Sequence, residues 1–225
     1  MAFAGSGKVV RIYPHPAATE LFPVIDAAQA LTRLRDGNAR YVADQPWAAG
    51  ESAALRRDRL VAGQAPFAVV LGCSDSRVPV ELVFDQQLGD LFVIRVAGNI
   101  VDTSQLGSVE FAVQAFGTPL VVVLGHTGCG AVGAALDALD QPYDQLTPSL
   151  RAIVDCIQPA IRDLDHDRPD RGREAVRANV RAQMAALAAE SPLLAERERQ
   201  GGLRLVGADY CLTSGQVDFF TVGDV

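Results

Sequence analysis

The sequence predicts an α/β fold in which a central, mainly parallel sheet of four or five strands is flanked by helices. Three short, continuous apolar runs support this prediction, because strands covered by helices on both faces are apolar throughout. Helical periodicity separates the second run from the third, as expected for a right-handed strand, helix, strand crossover. The three runs lie at residues 66–72, 91–96 and 120–124.

An N-terminal arm and two helices are predicted before the first strand. Residues 1–26 contain three prolines and show no clear periodicity, so we expect an arm that lies on the surface or on a partner subunit. Asp26 is a suitable N-cap for an amphipathic helix that runs to about Val42. With a second helix over 52–62, the N-terminal helices occupy 27–62. The α/β core occupies 66–225, and one domain spans residues 1–225.

Helices and one hairpin follow the third strand. A glycine after Cys129 begins a helix with apolar residues on one side, and two longer amphipathic helices come next. The almost wholly charged stretch 163–173 between those two helices is interpreted as a solvated turn. Residues 203–212 are predicted to form a fourth strand, and residues 216–222 can pair with it as an antiparallel hairpin.

Composition argues against several classes of partner and location. Acidic residues outnumber basic residues by 27 to 20, which gives a net charge of −7, and the arginines do not cluster beside aromatic residues. This charge balance argues against nucleic acid as a partner. No stretch reaches the roughly 18 continuous apolar residues of a membrane span. The first 26 residues lack the features of a secretory signal, so we expect a cytoplasmic protein without a membrane partner.

Two short motifs contain the side chains of a predicted zinc site. Cys73 and Asp75 follow the first strand, and His126 and Cys129 follow the third. Thiolates, imidazole and carboxylate are ligand types that zinc prefers in proteins. Because neighbouring parallel strands bring their carboxyl ends to one edge of the sheet, the two motifs are expected to meet there. Cysteines in a chain without a secretory signal also favour a metal site over disulfides.

The number of protein ligands distinguishes catalytic from structural zinc. Cys73, His126 and Cys129 can supply three ligands, and Asp75 can either complete the shell or leave the fourth position to water. Arg77 is placed to hold the Asp75 carboxylate in a bidentate pair, so that Asp75 ligates zinc only in a closed state. With the fourth position open, zinc would acidify its water and Asp75 would accept a hydrogen bond from the resulting hydroxide. A structural site with all four ligands is the alternative.

The two other cysteines are interpreted as ordinary buried thiols. Cys156 lies on the apolar face of a predicted helix, and Cys211 lies near the end of the predicted fourth strand. We therefore expect Cys73 and Cys129 alone among the cysteines to bind metal.

At these motifs the sequence resembles the β-class carbonic anhydrases. The family signature CSDSR is present as residues 73–77, and the HxxCG element is present as residues 126–130. The resemblance covers roughly residues 27 to 220. Further similar segments lie at residues 89–95, 97–99, 207–210 and 213–215.

This resemblance implies reversible hydration of carbon dioxide to bicarbonate and a proton by zinc-bound hydroxide. Cys73, His126 and Cys129 would bind one Zn²⁺ per subunit, and the Asp75–Arg77 dyad would hold and help to deprotonate the zinc-bound water. Family members are obligate homodimers that often associate further, so a homodimer, or a homotetramer built from it, is implied. The N-terminal helices would embrace the neighbouring subunit.

The resemblance also implies a substrate pocket. Gln64 and Phe92 match family positions that line this pocket from the partner subunit, and Phe111 stands where many members have a tyrosine. Gly128, within the second motif, is assigned to the same pocket. Phe92 and Phe111 would form an apolar surface suited to a small apolar substrate. Both phenylalanines can instead be ordinary core aromatics.

One departure from the family pattern concerns regulation. Some family members bind bicarbonate at a second, inhibitory site formed by a tryptophan, an arginine and a tyrosine. Arg95 and Tyr210 match two of these positions, but Val70 stands at the tryptophan position. This departure predicts that inactivation by bicarbonate is absent or weak.

Other functions fit parts of the sequence. A zinc hydrolase of the same fold family, acting on carbon disulfide or carbonyl sulfide, would have similar catalytic residues. A third possibility is a non-catalytic module whose zinc is permanently four-coordinate, but Arg77 would have no role in such a closed site. A nucleotide-binding domain is excluded, because the sequence has no glycine-rich strand-to-helix turn of the required pattern.

Overall fold

A five-stranded sheet lies at the centre of the computed structural model, which describes residues 25–46, 52–141 and 145–221. The strands are β1 (Ala68–Gly72), β2 (Leu91–Arg95), β3 (Leu120–His126), β4 (Arg204–Tyr210) and β5 (Val217–Phe220). Their order is β2-β1-β3-β4-β5. The first three neighbouring pairs are parallel, and β5 pairs with β4 in the antiparallel direction. The predicted α/β class with a mainly parallel sheet is confirmed.

Helices connect the strands and cover the sheet. The helices are α1 (Ala27–Val42), α2 (Ala53–Leu60), α3 (Val80–Val83), α4 (Thr103–Phe116), α5 (Gly130–Asp140), α6 (Pro148–Ile161), α7 (Arg171–Glu190) and α8 (Pro192–Arg199), with a 3₁₀ turn at Ala97–Asn99. No helix within the described ranges is long and apolar enough to cross a membrane.

The sheet has a hydrophobic core on each face, because successive side chains of a strand point to opposite sides. In β1, Val70 packs with the core that includes Leu34 of α1, whereas Val69 packs with the core that includes Val109 of α4 and Val180 of α7. All five residues of β1 and all seven of β3 are buried. This double coverage explains why these strands appear in the sequence as unbroken apolar runs.

The N-terminal helices are attached to the sheet by ion pairs as well as by apolar contacts. Asp26 caps α1 through a capping box with Gln29, which confirms the predicted start of this helix. Asp90, immediately before β2, is buried and accepts from Arg33 of α1 at 2.8 Å and from Arg56 of α2 at 2.6 Å. Asp90 therefore joins both N-terminal helices to the start of β2.

Several predicted boundaries differ from the structure. Helix α7 begins at Arg171, so the end of the predicted turn 163–173 is helical, and β4 and β5 are shorter than predicted. Cys156 and Cys211 are half-buried, so the prediction of ordinary buried thiols is wrong for both. The 3₁₀ turn and two short helices, α3 and α8, are additional elements. The predicted arm, apart from its last two residues, lies outside the described residues.

Candidate metal centre

Two loops at the carboxyl ends of the neighbouring strands β1 and β3 form the centre. Cys73 directly follows β1, His126 ends β3, and Cys129 is the N-cap of α5. Each of these residues offers one ligand atom, and the three atoms lie within 4.8 Å of one another. The two sulfur atoms are 3.9 Å apart, and all three side chains are buried. The structure thus brings together the three residues predicted to bind zinc.

The imidazole of His126 is oriented for metal binding. Its Nδ1 atom lies 3.1 Å from the carbonyl oxygen of Thr127, which can only accept, so Nδ1 carries the proton. The Nε2 atom is buried and has no hydrogen-bond partner among the described residues. A buried acceptor without a donor is costly, whereas a metal ion satisfies it. The histidine is therefore held in the tautomer that leaves Nε2 free for a cation.

The thiols of Cys73 and Cys129 are hydrogen-bonded to each other and therefore titrate differently. A thiolate at Cys73 accepts from the Cys129 thiol, which lowers the pKa of Cys73 against the opposing effect of burial. The same contact, together with burial, raises the pKa of Cys129 above its usual range. A metal ion between the two sulfurs would replace the shared proton, because thiolates are the metal-binding form.

The electrostatic surroundings of His126 also favour a cation. Burial opposes a positive charge on the imidazole, but the negative charge at Cys73, the carbonyl oxygen of Thr127 and the carboxylate of Asp75 together raise the pKa of His126. The carboxylate of Asp75 adds to the negative potential, with its Oδ2 atom 3.9 Å from Nε2. Two thiols, one imidazole and this potential suit Zn²⁺, so the residues present fit the ion that the sequence predicts.

Asp75 and Arg77 form the bidentate pair that the sequence predicts. The Nε atom of Arg77 donates to Oδ1 at 2.9 Å, and its Nη2 atom donates to Oδ2 at 2.7 Å. The backbone amide of Arg77 also donates to Oδ1 at 2.9 Å. These hydrogen bonds from Arg77 hold the pKa of Asp75 far below its usual range, so the carboxylate is ionised at neutral pH.

Contacts from other loops fix the backbone around this pair. Nη2 of Arg77 also donates to the carbonyl oxygen of Gly128 at 3.2 Å, which joins the two motifs. Arg95, at the end of β2, donates through Nε to the carbonyl oxygen of Cys73 at 2.9 Å and through Nη2 to that of Asp75 at 2.6 Å. Sequence reasoning missed this second role of Arg95. The available signal was its position at the end of a strand adjacent to β1.

Three predicted pocket residues lie on other elements than the predicted zinc ligands: Gln64 precedes β1, Phe92 is in β2 and Phe111 is in α4. Gln64 is exposed and precedes β1, whereas Cys73 follows it. Phe92 pairs with Val69 in the parallel ladder, and its ring lies 6.1 Å from that of Phe111 between centroids. A contribution of these residues to the pocket of a partner subunit stays a prediction.

Comparison with known proteins identifies the family. The family model described as carbonic anhydrase matches residues 68–217, which contain both motifs, strands β1 to β4 and the first residue of β5. The chain belongs to the β-carbonic anhydrase family. The resemblance seen in the sequence is therefore confirmed, and the chain is a carbonic anhydrase by membership of this family.

Carbonic anhydrases of two bacteria match most of the chain. Carbonic anhydrase 2 of Mycobacterium tuberculosis strain H37Rv is 41% identical over 196 residues, which are 86% of this chain and 93% of that protein. The carbonic anhydrase of Mycolicibacterium smegmatis is 41% identical over 209 residues, which are 90% of this chain and 98% of that protein.

Solved β-carbonic anhydrase structures show the same fold. The β-carbonic anhydrase CcaA has a TM-score of 0.65 at 28% identity, with 86% of this chain and 85% of that chain covered. A tetrameric β-carbonic anhydrase from Sordaria macrospora has a TM-score of 0.66 at 25% identity, with 88% and 98% covered. The fold therefore extends well beyond the two motifs.

The structure shows the contacts of Arg95, Tyr210 and Val70, the residues that the resemblance matches to an inhibitory bicarbonate site. Arg95 donates to the carbonyl oxygens of the metal loop, as described above. The hydroxyl group of Tyr210 lies 3.2 Å from that of Tyr41. Val70 is fully buried in the core and offers no donor. Absent or weak inactivation by bicarbonate stays a prediction.

Proposed function

We propose that this chain hydrates carbon dioxide reversibly to bicarbonate and a proton, using zinc at Cys73, His126 and Cys129 with the fourth position left to water. Carbon dioxide hydration is the activity that family membership supports. The observation that carries the finer proposal is the bidentate pair of Arg77 with both oxygens of Asp75. A carboxylate held in this way is oriented beside the cluster rather than free to complete it.

Zinc would supply the Lewis acidity that makes a water molecule nucleophilic at neutral pH. Asp75 would serve as a hydrogen-bond acceptor that orients this water, because a carboxylate with so low a pKa does not hold a proton at neutral pH. Its Oδ1 atom accepts two hydrogen bonds from Arg77, whereas Oδ2 accepts one. Oδ2 therefore keeps acceptor capacity, and it is this oxygen that lies 3.9 Å from Nε2 of His126.

The pocket and the assembly are part of the same proposal. In a homodimer, Gln64 and Phe92 of one subunit would line the site of the other, with Phe111 adding apolar surface for carbon dioxide and Gly128 bordering the dyad. Phe92 and Phe111 are both half-buried, so each keeps some surface for such a contact. The tetrameric relative from Sordaria macrospora supports association beyond the dimer.

We also propose a reducing, cytoplasmic location. The thiols of Cys73 and Cys129 are free, and their sulfur atoms are only 3.9 Å apart. Oxidation of such a pair would remove two of the three metal ligands, whereas a reducing compartment preserves them.

Stopped-flow measurement of carbon dioxide hydration with a pH indicator tests this proposal. Wild-type protein with a full zinc complement should be active at alkaline pH, and Asp75→Asn should lose most of this activity while it retains zinc. Background activity in fully zinc-loaded wild-type protein would refute the catalytic function. Full activity in Asp75→Asn would refute the role of Asp75, and the structural-zinc alternative predicts no activity in either protein.

A further inference from the structure

Two buried carboxamides on α7 lie behind the metal loop and hydrogen-bond to the segment that follows β2. Asn179 is fully buried and Gln183 is 4% exposed. Nδ2 of Asn179 donates to the carbonyl oxygen of Gly98 at 2.9 Å, and Oε1 of Gln183 accepts from the amide of Val101 at 2.7 Å. Nε2 of Gln183 donates to Oδ1 of Asn179 at 3.0 Å. The two side chains thus form one bridge across residues 98–101.

The direction of every hydrogen bond in this bridge is fixed by its two ends. The amide of Val101 can only donate, so Gln183 must present its oxygen there and its nitrogen to Asn179. Asn179 must then accept with its oxygen and donate with its nitrogen to Gly98, whose carbonyl oxygen can only accept. Neither carboxamide can be flipped without losing two bonds. Such a chain is cooperative and holds the segment in one conformation.

The segment needs this support because its backbone is unusual. Gly98 has φ of +72°, and Asn99 has φ of +45°, a conformation that costs a non-glycine residue free energy. A Cβ atom at position 98 would lie 2.8 Å from Cδ1 of Ile157, so a larger residue there would force this buried side chain to shift. In this conformation the amide of Gly98 donates to the sulfur atom of Cys73 at 3.4 Å.

We propose that Asn179 and Gln183 are positioning residues for the metal centre, which hold Gly98 so that its amide donates to the sulfur atom of Cys73. A hydrogen bond to a thiolate withdraws electron density from the sulfur and so tunes its donation to a bound metal. The inference rests on the proposed function, in which Cys73 binds zinc. It assigns a task in metal binding to residues on a helix that supplies none of the predicted ligands.

Cobalt(II) substituted for zinc gives a readout that does not depend on activity. The sulfur-to-cobalt charge-transfer band reports electron donation by the thiolates. Asn179→Leu, which has nearly the same shape without polar atoms, should move this band to longer wavelength. It should also weaken zinc affinity about tenfold in competition with a chelator. Gln183→Met should change both measurements in the same direction.

Asn38→Leu is the matched control. Asn38 is also a buried carboxamide, 6% exposed, and it bonds to backbone groups of Val83, Gly215 and Val217. None of these groups belongs to the metal loops. Asn38→Leu should therefore lower stability while the charge-transfer band and zinc affinity keep their wild-type values.

The outcomes separate this inference from the proposed function. A wild-type protein without a sulfur-to-cobalt band would refute thiolate ligation, and with it the proposed zinc site. A normal wild-type band that is unchanged in Asn179→Leu, with zinc affinity like that of Asn38→Leu, would overturn the inference alone. If Asn179→Leu does not fold, the same criteria apply to Gln183→Met. The double variant Asn179→Leu with Gln183→Met tests whether the bridge acts as one unit. If its loss of zinc affinity equals the sum of the two single losses, the bridge as one unit is refuted, because residues that act together give non-additive effects.

Discussion

Replacing Arg77 by alanine should reduce carbon dioxide hydration about 100-fold without loss of zinc. The alanine variant removes both side-chain hydrogen bonds to Asp75 and the contact with Gly128, and leaves the backbone amide as the remaining donor from this residue. Asp75 can then rotate about its side-chain bonds, and its Oδ2 atom is already only 3.9 Å from Nε2 of His126. A displacement of about 1 Å in a positioning group is enough for a loss of this size.

Two further variants make the Arg77→Ala experiment decisive. Arg77→Lys keeps the charge but loses the planar pair of donors, so an intermediate loss of about tenfold is expected. Arg168→Ala is the matched control, because Arg168 binds Asp170 through Nε at 3.0 Å and Nη2 at 3.2 Å, with the same two-residue separation. Stopped-flow rates should be normalised to zinc content. Activity of Arg77→Ala within about threefold of Arg168→Ala would refute the role of the dyad.

Three other predictions concern the metal, regulation and packing. Cys129→Ser should purify with much less than one zinc per subunit by metal analysis, because a hydroxyl is a poor zinc ligand, and full zinc content would contradict the assigned ligand set. Bicarbonate should give no cooperative inhibition, because Arg95 is held by backbone carbonyl oxygens, and a sigmoidal inhibition curve would contradict this reasoning. Gly37→Ala should destabilise the protein by about 1–3 kcal/mol or more in denaturant unfolding, since the added Cβ would lie 1.8 Å from the carbonyl oxygen of Phe84. Gly107→Ala, inside α4 with open space around it, should instead stabilise by about 0.5–1 kcal/mol, and equal effects of the two changes would contradict the packing of α1.

Much of the fold was predictable because buried strands are apolar along their whole length, which can be seen in the sequence. β1 and β3 are covered on both faces, and each appears as an unbroken apolar run. The start of α1 was predictable for a local reason as well, since Asp26 and Gln29 form a capping box within one turn. Strands with a continuous apolar run and a helix start with a local cap were therefore predicted well.

The short helices depend on distant partners and were not predicted. Ser191 caps α8 by accepting from the amide of Leu194, and its hydroxyl also donates to Glu110 of α4 at 2.5 Å. The second contact joins residues 81 positions apart, so no local window contains it. Helix α3 has four residues and two of them, Val80 and Val83, are buried in the core. Helices this short are stabilised by tertiary packing rather than by their own sequence.

In the candidate site, too, features that depend on residue type were predictable from the sequence, and features that depend on distant contacts were not. The meeting of Cys73, His126 and Cys129 in one cluster was predictable, because zinc binds few side-chain types and parallel strands share one edge of the sheet. The hydrogen bond to the sulfur of Cys73 comes from a backbone amide, which nearly every residue possesses, so residue type alone could not identify the donor as Gly98. Its position depends on β2, which lies next to β1 in the sheet and delivers the 3₁₀ turn to the metal loop. A change in α7 that leaves every ligand intact should therefore still alter the metal centre.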